Sequence, residues 1–300
     1  MVRVKRHGTN IVAVIVSYFP ERGRLDDLVR ALSPQVDEIV IVDNGSSDIG
    51  HFAGVHVLRL GRNVGVAAAQ NVGIGWAKSH GARFVILFDQ DSWPESNMIE
   101  RLLSAYECLV AEGRPVAAVG PRYKDACQEG LASPFVVSEG SRLVRIRPSS
   151  PHDIVDVDFL ISSGCMIPLS VIDAVGLMKE ELFIDYVDIE WGLRARRLGF
   201  RSFGVFDAHM RHCIGEKPIN FFGRKVPAHS PLRRYYNFRN AVWLFRQPWL
   251  WSSWKIILGR RMILQFGFYS LFARPRWQQC KMMSLGFWHG IRGRMGALKG

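Results

Sequence analysis

Two aspartates two residues apart, Asp89 and Asp91, follow directly on the apolar run 83–88. Carboxylates at i and i+2 beyond a buried strand can reach one hard divalent cation together. Alternatively, one binds the metal while the other holds a sugar or ribose hydroxyl. Mg²⁺ takes a few carboxylates and completes its shell with substrate phosphate oxygens. The pair therefore suits a metal bound together with a diphosphate. Two other apolar runs end in polar groups: Ser17-Tyr18 follows 11–16, and Asp43-Asn44-Gly45-Ser46 follows 38–42. One carboxylate in such a place can be a plain turn former or helix cap. Three polar groups at matching strand ends point to a cleft, because ligands of open α/β sheets bind beyond the carboxyl ends of the strands.

Asp185, Asp188 and Glu190 precede and begin a helix-like stretch that ends near Leu198. Capping explains them as well as chemistry does, with Asp185 as N-cap and the others favoured by the helix dipole. The chemical reading is a general base facing the same cleft. His209 and His212 stand in an extended stretch, 206–214, and HExxH is absent. GxxxxGK[ST] and GxGxxG are absent too, which disfavours a P-loop ATPase and a standard dinucleotide oxidoreductase. Gly73-x-Gly75 reads instead as room for close helix packing. The five cysteines (Cys108, Cys127, Cys165, Cys213 and Cys280) are odd in number and form no CxxC, so neither a disulfide framework nor a zinc site is suggested. Residues 1–10 are basic but no apolar signal core follows them, and the expected location is a reducing cytoplasm.

The elements that must position these groups are an alternation of strands and helices. The continuous β-branched run 11–16 suits a strand covered on both faces. Residues 38–42, 55–60, 83–88 and 116–119 give further strands, and 21–33, 64–79 and 95–112 give helices between them. Such alternation predicts an α/β domain with a mainly parallel sheet. Residues 121–156 read as an edge hairpin or a mobile loop, 159–167 as a strand and 187–198 as a helix. From about Ser230 the chain reads as helical pieces broken at Pro248 and Pro275.

The 300 residues suit one large domain with an appendage. Charge separates the two. The first 216 residues carry 23 Lys and Arg against 27 Asp and Glu, whereas 217–300 carry 16 basic side chains and no acidic one. Six of the nine Trp also lie in 217–300. A basic segment needs an anionic partner: nucleic acid, anionic lipid or a phosphorylated ligand. A nucleic-acid-binding role leaves the Asp89-x-Asp91 pair unexplained, and no nucleic acid partner is expected. Trp beside Lys and Arg suits a membrane interface, while the longest late charge-free run, 262–273, is too short to span a bilayer, which takes about 20 residues. The expectation is an α/β domain over 1–229 and a basic, aromatic helical extension over 230–300 that lies on an anionic membrane surface, with Trp249, Trp251 and Trp254 as its aromatic belt. The opposing expectation is that these Trp fill a small helical core.

Taken together, these motifs resemble the inverting family-two glycosyltransferases of GT-A fold, and within them the rhamnosyltransferases of polysaccharide assembly. The resemblance spans roughly 10–245. It is carried by Ser17-Tyr18, Val42-Asp43-Asn44-Gly45-Ser46-Ser47, Gly61-Arg62-Asn63-Val64-Gly65, Ala69-Gln70-Asn71-Val72-Gly73 and Leu87-Phe88-Asp89-Gln90-Asp91-Ser92. Ser163-Gly164-Cys165, 183–191 (FIDYVDIEW) and 230–240 (SPLRRYYNFRN) complete it. The resemblance implies a Rossmann-like, mainly parallel sheet flanked by helices. It implies that Asp43 binds the nucleotide base, that Asn63 and Gly65 shape the nucleotide pocket, and that Asp89 holds ribose or sugar hydroxyls. Ser17, Tyr18, Asn44, Gln70 and Gln90 fall in the same nucleotide-sugar motifs. Asp91 and His212 would hold Mg²⁺ or Mn²⁺, Asp188 would be the catalytic base, and Arg233, Arg234 and Tyr236 would close over the diphosphate. Val187 stands where the family often has Glu, which removes a neighbouring carboxylate but leaves the base. The implied reaction moves L-rhamnose from dTDP-L-rhamnose to a lipid-linked saccharide at the inner membrane face. The alternatives are another nucleotide-activated sugar or, in a different class, a metal-dependent nucleotidyltransferase.

Overall fold

A computed structural model describes residues 10–125, 135–212, 216–221 and 224–298. In chain order the elements are β1 (Ile11–Ser17), α1 (Arg22–Leu32), β2 (Glu38–Asp43), β3 (His56–Arg59), α2 (Val66–Ser79), β4 (Phe84–Asp89), β5 (Ser92–Pro94), α3 (Met98–Ala111) and β6 (Val116–Asp125). Then come β7 (Phe135–Glu139), β8 (Arg142–Ile146), β9 (Ile154–Val157), β10 (Cys165–Pro168), α4 (Leu169–Val175), α5 (Val187–Arg197) and β11 (Arg201–His212). β12 (Glu216–Phe221), β13 (Arg224–Ala228), α6 (Pro231–Phe245), α7 (Ser252–Phe272) and α8 (Arg276–Arg292) complete the chain.

The main sheet runs β3-β2-β1-β4-β10-β6-β11-β5, with β9 also paired to β11. β3, β2, β1 and β4 are parallel neighbours, as are β6 and β11. β10 is inserted antiparallel between β4 and β6. The continuous apolar run of β1 is buried throughout because both faces of the sheet are covered. Ile11, Ala13 and Ile15 pack with Leu25 and Leu28 of α1 and with Leu102 of α3. Val12, Val14 and Val16 pack with Ala67 and Ile74 of α2 and with Ile172 of α4. Gly73 lets α2 lie this close, since a Cβ there would stand 2.2 Å from a Val14 methyl.

The structure departs from the sequence reading in several places. Only Cys165–Pro168 of the expected strand 159–167 is a strand. Ser162, Ser163 and Gly164 turn instead, with the Gly164 N–H bonded to the Leu87 carbonyl at 2.7 Å. The expected edge hairpin over 121–156 divides: β6 runs on to Asp125, β7 and β8 pair in a sheet of their own, and β9 joins the main sheet. Asp185 does not cap α5. Its backbone is left-handed (φ 65°), Tyr186 occupies the cap position and no side chain caps the helix. Cys127 and Cys213 lie outside the described residues.

The C-terminal helices seat on the α/β body. Tyr186, Ile189 and Leu193 share an apolar cluster with Leu244, Leu250, Trp254, Ile257 and Leu258. Trp254 is buried and donates its indole N–H to Asp158 at 3.0 Å, and Trp249 and Trp251 pack against the same cluster. Of the aromatic belt expected of these three residues, Trp254 is core, and Trp249 and Trp251 are half-buried at its edge. The sequence could not separate the two because Trp beside Lys and Arg fits either environment. The breaks at Pro248 and Pro275 stand where expected, between α6 and α7 and between α7 and α8. Among the described residues no helix is long and apolar enough to cross a membrane.

Candidate active site

Register brings the strand-end groups together. Ser17 is opposite Asp43 across β1 and β2, and Val16 is opposite Asp89 across β1 and β4. β11 arrives at the same place from the other side, through its parallel pairing with β6 and its antiparallel pairing with β5, which sets His212 opposite Ser92. Asp89, Asp91 and His212 can each offer one ligand atom, all within 4.8 Å of one another. His212 Nδ1 is 3.2 Å from Ser92 Oγ and 3.5 Å from Asp91, and Nε2 is 3.7 Å from Asp89. Ser92 in turn is hydrogen-bonded to Ser163, and both are buried. With Nδ1 held by Ser92, Nε2 is the nitrogen left for a ligand bond. Burial raises the Asp91 carboxyl above its ordinary range, His212 opposes this, and Asp89 adds to it. Two oxygen donors, one imidazole and mutual repulsion of the carboxylates form a donor set that fits Mg²⁺ or Mn²⁺. Ser92 and Ser163 were not expected as site residues, although both sit inside the quoted motifs.

The residues expected to meet the nucleotide form a tightly bonded loop layer. Gln90 accepts from the Tyr18 N–H at 2.7 Å and donates to the Tyr18 carbonyl at 3.2 Å, which ties the end of β4 to the end of β1. Asp43 is buried and its carboxylate accepts from the N–H and hydroxyl of Ser46. Asn44 accepts from Val64 N–H at 2.8 Å and donates to Asn63, whose Oδ1 also accepts from Gly65 N–H at 2.9 Å. Gly65 has φ 90° and lies against Phe183, where a Cβ would stand 2.6 Å from the Phe183 carbonyl oxygen. The loops from β2 and into α2 are thus locked to the segment that precedes Asp188. Ser17 Oγ and Gln70 Oε1 are buried without a hydrogen-bond partner. Tyr18 is exposed and stacks edge-on with Phe19.

Asp188 begins α5 just after an unusual turn. Phe183, Asp185 and Tyr186 all have φ near 65°, a conformation that costs non-glycine residues energy and persists only when surroundings enforce it. Asn240 supplies that enforcement from α6. Its Nδ2 is within 2.9 Å of the carbonyls of Leu182, Ile184 and Asp185. The buried Arg239 donates to the carbonyls of Glu181, Leu182 and Gly296. Burial pushes the Asp188 carboxyl up to about 6; the Ile189 N–H opposes this, and the charges of Asp185 and Asp89 add to it. The Asp188 carboxyl therefore feels the charge of Asp89 and stands well above the ordinary carboxylate range. Neither Arg239 nor Asn240 was singled out for this role, although both lie in the quoted FRN stretch. Asn240→Leu is expected to leave carbonyls unpaired and to cost about 1–3 kcal/mol of stability. It should also lower turnover more than donor affinity. Urea unfolding and donor titration on the same variant check both.

The basic stretch divides in two. Arg233 is exposed and pairs with Asp185 at 3.2 Å, which places one cation beside the Asp188 turn. Arg234 is buried, with its guanidinium 3.4 Å from the centre of the Tyr269 ring of α7. Tyr236 is buried too, stacked on Phe183 at 5.0 Å, and its hydroxyl accepts from Leu298 N–H. Arg234 and Tyr236 thus brace the junction of α6 with its neighbours, and Arg233 faces solvent.

Comparison with known proteins agrees with this geometry. Residues 13–131 match the profile described as Glycosyl transferase family 2. The chain is 37% identical over 244 residues to the dTDP-rhamnosyl transferase RfbF of Shigella flexneri, covering 80% of this chain and 81% of that one. A crystal structure of GalNAc-T7 with UDP, GalNAc and Mn²⁺ superposes with a TM-score of 0.63 at 16% identity, over 95% of this chain. The chain spans 56% of the length of that neighbour. S. aureus TarS 1–349 in complex with UDP-GlcNAc superposes with a TM-score of 0.56 at 17% identity, over 95% of this chain and 82% of that one. At such identities the two structures speak for the fold: a mainly parallel sheet with flanking helices, as expected for GT-A.

Proposed function

The chain belongs to glycosyl transferase family 2, and we propose that it moves L-rhamnose from dTDP-L-rhamnose to a lipid-linked saccharide in cell-surface polysaccharide assembly. It is a glycosyltransferase that uses a nucleotide-sugar donor. The observation that carries the choice of sugar is the 37% identity to a dTDP-rhamnosyl transferase across four fifths of both chains. The basic extension, which has no acidic side chain after Glu216, supports the reading of a membrane-borne acceptor met at the inner membrane face.

In this reading Asp188 takes the proton of the acceptor hydroxyl as its oxygen attacks the anomeric carbon. The bond to the donor phosphate oxygen breaks on the opposite face, so the configuration inverts and dTDP leaves. The side chains Asp89, Asp91 and His212 would hold the divalent cation, which when bound neutralises charge on the departing diphosphate. Arg233, exposed beside the cleft, adds a fixed positive charge for the same oxygens. Gln90, Asn44 and Asn63 hold the loops that the nucleotide lies on, and the unpartnered Ser17 Oγ and Gln70 Oε1 remain for it or for bound water. Asp43, buried and bonded to Ser46, reads the base only if that turn opens to it.

A thermal-shift panel of dTDP- and UDP-sugars with Mg²⁺ or Mn²⁺ tests the donor. dTDP-L-rhamnose at 100 times its Kd should stabilise the protein by about 2.7 kcal/mol, and turnover should release dTDP and no pyrophosphate. Stronger stabilisation by a UDP-sugar would sink the rhamnose reading.

A further inference from the structure

The outer face of α7 is apolar where a helix on a protein surface should be polar. Ile256, Ile263, Leu264 and Leu271 recur at helical spacing and are exposed, with Arg260 and Gly267 between them on the same face. Ile263 is 74% exposed and Leu264 69%. The opposite face is occupied: Trp254, Ile257 and Leu258 sit in the core shared with α5, and Tyr269 packs with Phe238 and Met283. A helix with large apolar side chains on two faces needs a second covering. α8 continues the pattern, with Trp277 78% exposed and Trp288 49%. Ten of the 18 large apolar side chains exposed among the described residues lie between Ile256 and Ile291, so exposed apolar surface is concentrated on α7 and α8.

Charge selects the occupant. Residues 252–298 hold Lys255, Arg260, Arg261, Arg274, Arg276, Lys281, Arg292 and Arg294 and no acidic side chain. A second copy docking through the same face would bring two all-basic surfaces together, and like-charge juxtaposition is costly. A nucleic acid backbone would meet the cations but leave Ile263, Leu264 and Leu271 in water. An anionic bilayer satisfies both, taking the apolar side chains below the headgroups and the cations among them.

We infer that the outer surface of α7 and α8 is a monotopic docking face for anionic lipid, with Ile263, Leu264, Leu271 and Trp277 as the inserted side chains. The inference rests on the reading that the acceptor is membrane-borne, and it names the surface that would deliver the active site to it. The face differs from the Trp249, Trp251 and Trp254 belt, in which Trp254 is buried and the other two pack against its cluster. Arg234 of α6, stacked on Tyr269, joins α7 to α6, and Asn240 of α6 holds the Asp188 turn.

The test is flotation of the full chain with vesicles of phosphatidylcholine alone or with phosphatidylglycerol. Wild type should float with the anionic vesicles and lose binding at high salt. A variant with Ile263, Leu264, Leu271 and Trp277 all changed to Ser should stay folded and remain in the bottom fraction. A second variant, Arg274→Gln, Arg276→Gln and Lys281→Gln, keeps the apolar face. It should bind anionic vesicles about 100-fold more weakly, at about fivefold for each basic side chain near the surface. Wild type that fails to float at low salt, or an apolar-face variant that floats like wild type, overturns the inference. So does a lipid-free wild-type dimer that the apolar-face variant makes monomeric, because the occupant is then a second copy. Donor-induced thermal shifts measured without vesicles should be equal in wild type and both variants. If no donor binds, the transferase reading fails while the flotation result stands on its own.

Discussion

Asp188→Asn is expected to lower turnover by about 10²–10⁴-fold, the usual value of a positioned general base, while donor affinity stays close to wild type. In the proposed mechanism the carboxylate takes the acceptor proton, and the donor meets the strand-end groups instead. The substitution preserves shape, and the amide oxygen can still accept the Ile189 N–H that Asp188 accepts at 2.8 Å. The pH dependence follows from burial. The Asp188 carboxyl stands at about 6 against an ordinary 3.8, so kcat/KM of wild type should rise as pH climbs through about 6 and level off above it. Stability moves the other way. A carboxyl raised in the folded state favours folding at low pH, and that advantage is lost as pH rises from 3.8 through about 6. Above pH 6 the charged, buried form costs up to about 3 kcal/mol, and Asn removes much of it. The inactive variant should therefore melt a few degrees higher than wild type at pH 8 and no higher at pH 4. Near-normal turnover in Asp188→Asn would leave Asp188 as a helix-start residue with no part in the reaction.

The framework of this site was legible because its signals are local. Ile11 to Val16 alternates between two buried faces, and only a strand covered on both sides uses six such residues in a row. The polar groups Ser17, Asp43 and Asp89 each end such a run, and parallel register aligns the three ends without any side-chain interaction. The pairing of Asp91 with His212 was expected from the family resemblance alone, because the contact that makes it depends on chain segments far apart. His212 reaches Asp91 only because β11 continues past a register shift between Val205 and His209 and pairs with the three-residue β5. Nothing near His212 announces that partner. Ser163 lies in a turn that the sequence read as strand, since Phe159 to Ile167 is apolar enough for either.

The extension was harder to read for a different reason. Its composition is uniform, with aromatics and cations throughout, so no stretch of sequence says which aromatic faces inward. Trp254 turns in because Asp158, from the segment between β9 and β10, offers its indole a buried acceptor. Arg234 turns in because Tyr269 covers it, and Arg233, one residue earlier, points out to Asp185. The same pattern of residues thus supplies a core, a brace for the Asp188 turn, and the exposed apolar ridge of α7. The charge count was the more durable signal, because the absence of acidic residues after Glu216 holds whichever way any one side chain points.

Asp91→Ala should abolish the part of donor binding that depends on a divalent cation, and this is the second large effect. Asp89 and His212 would remain, but two ligands do not hold Mg²⁺ or Mn²⁺ well against water. Calorimetry with dTDP should show wild-type affinity rising on addition of Mn²⁺ and the variant unmoved by it. Mn²⁺ binding followed by electron paramagnetic resonance, with no nucleotide present, separates loss of the ion from loss of the nucleotide. Ser92→Ala provides the graded comparison. It leaves all three ligands but removes the hydroxyl 3.2 Å from His212 Nδ1, and loss of such an orienting partner typically costs about 10–100-fold in metal affinity. The expected order is therefore wild type, then Ser92→Ala, then Asp91→Ala. Asp43→Asn acts at a different strand end, where the Asp43 carboxylate holds Ser46, and should weaken dTDP binding equally with and without Mn²⁺. If Asp91→Ala and Asp43→Asn instead lose the same metal-dependent increment, Asp91 is not a ligand and the cluster with His212 is only a polar seam between β4 and β11.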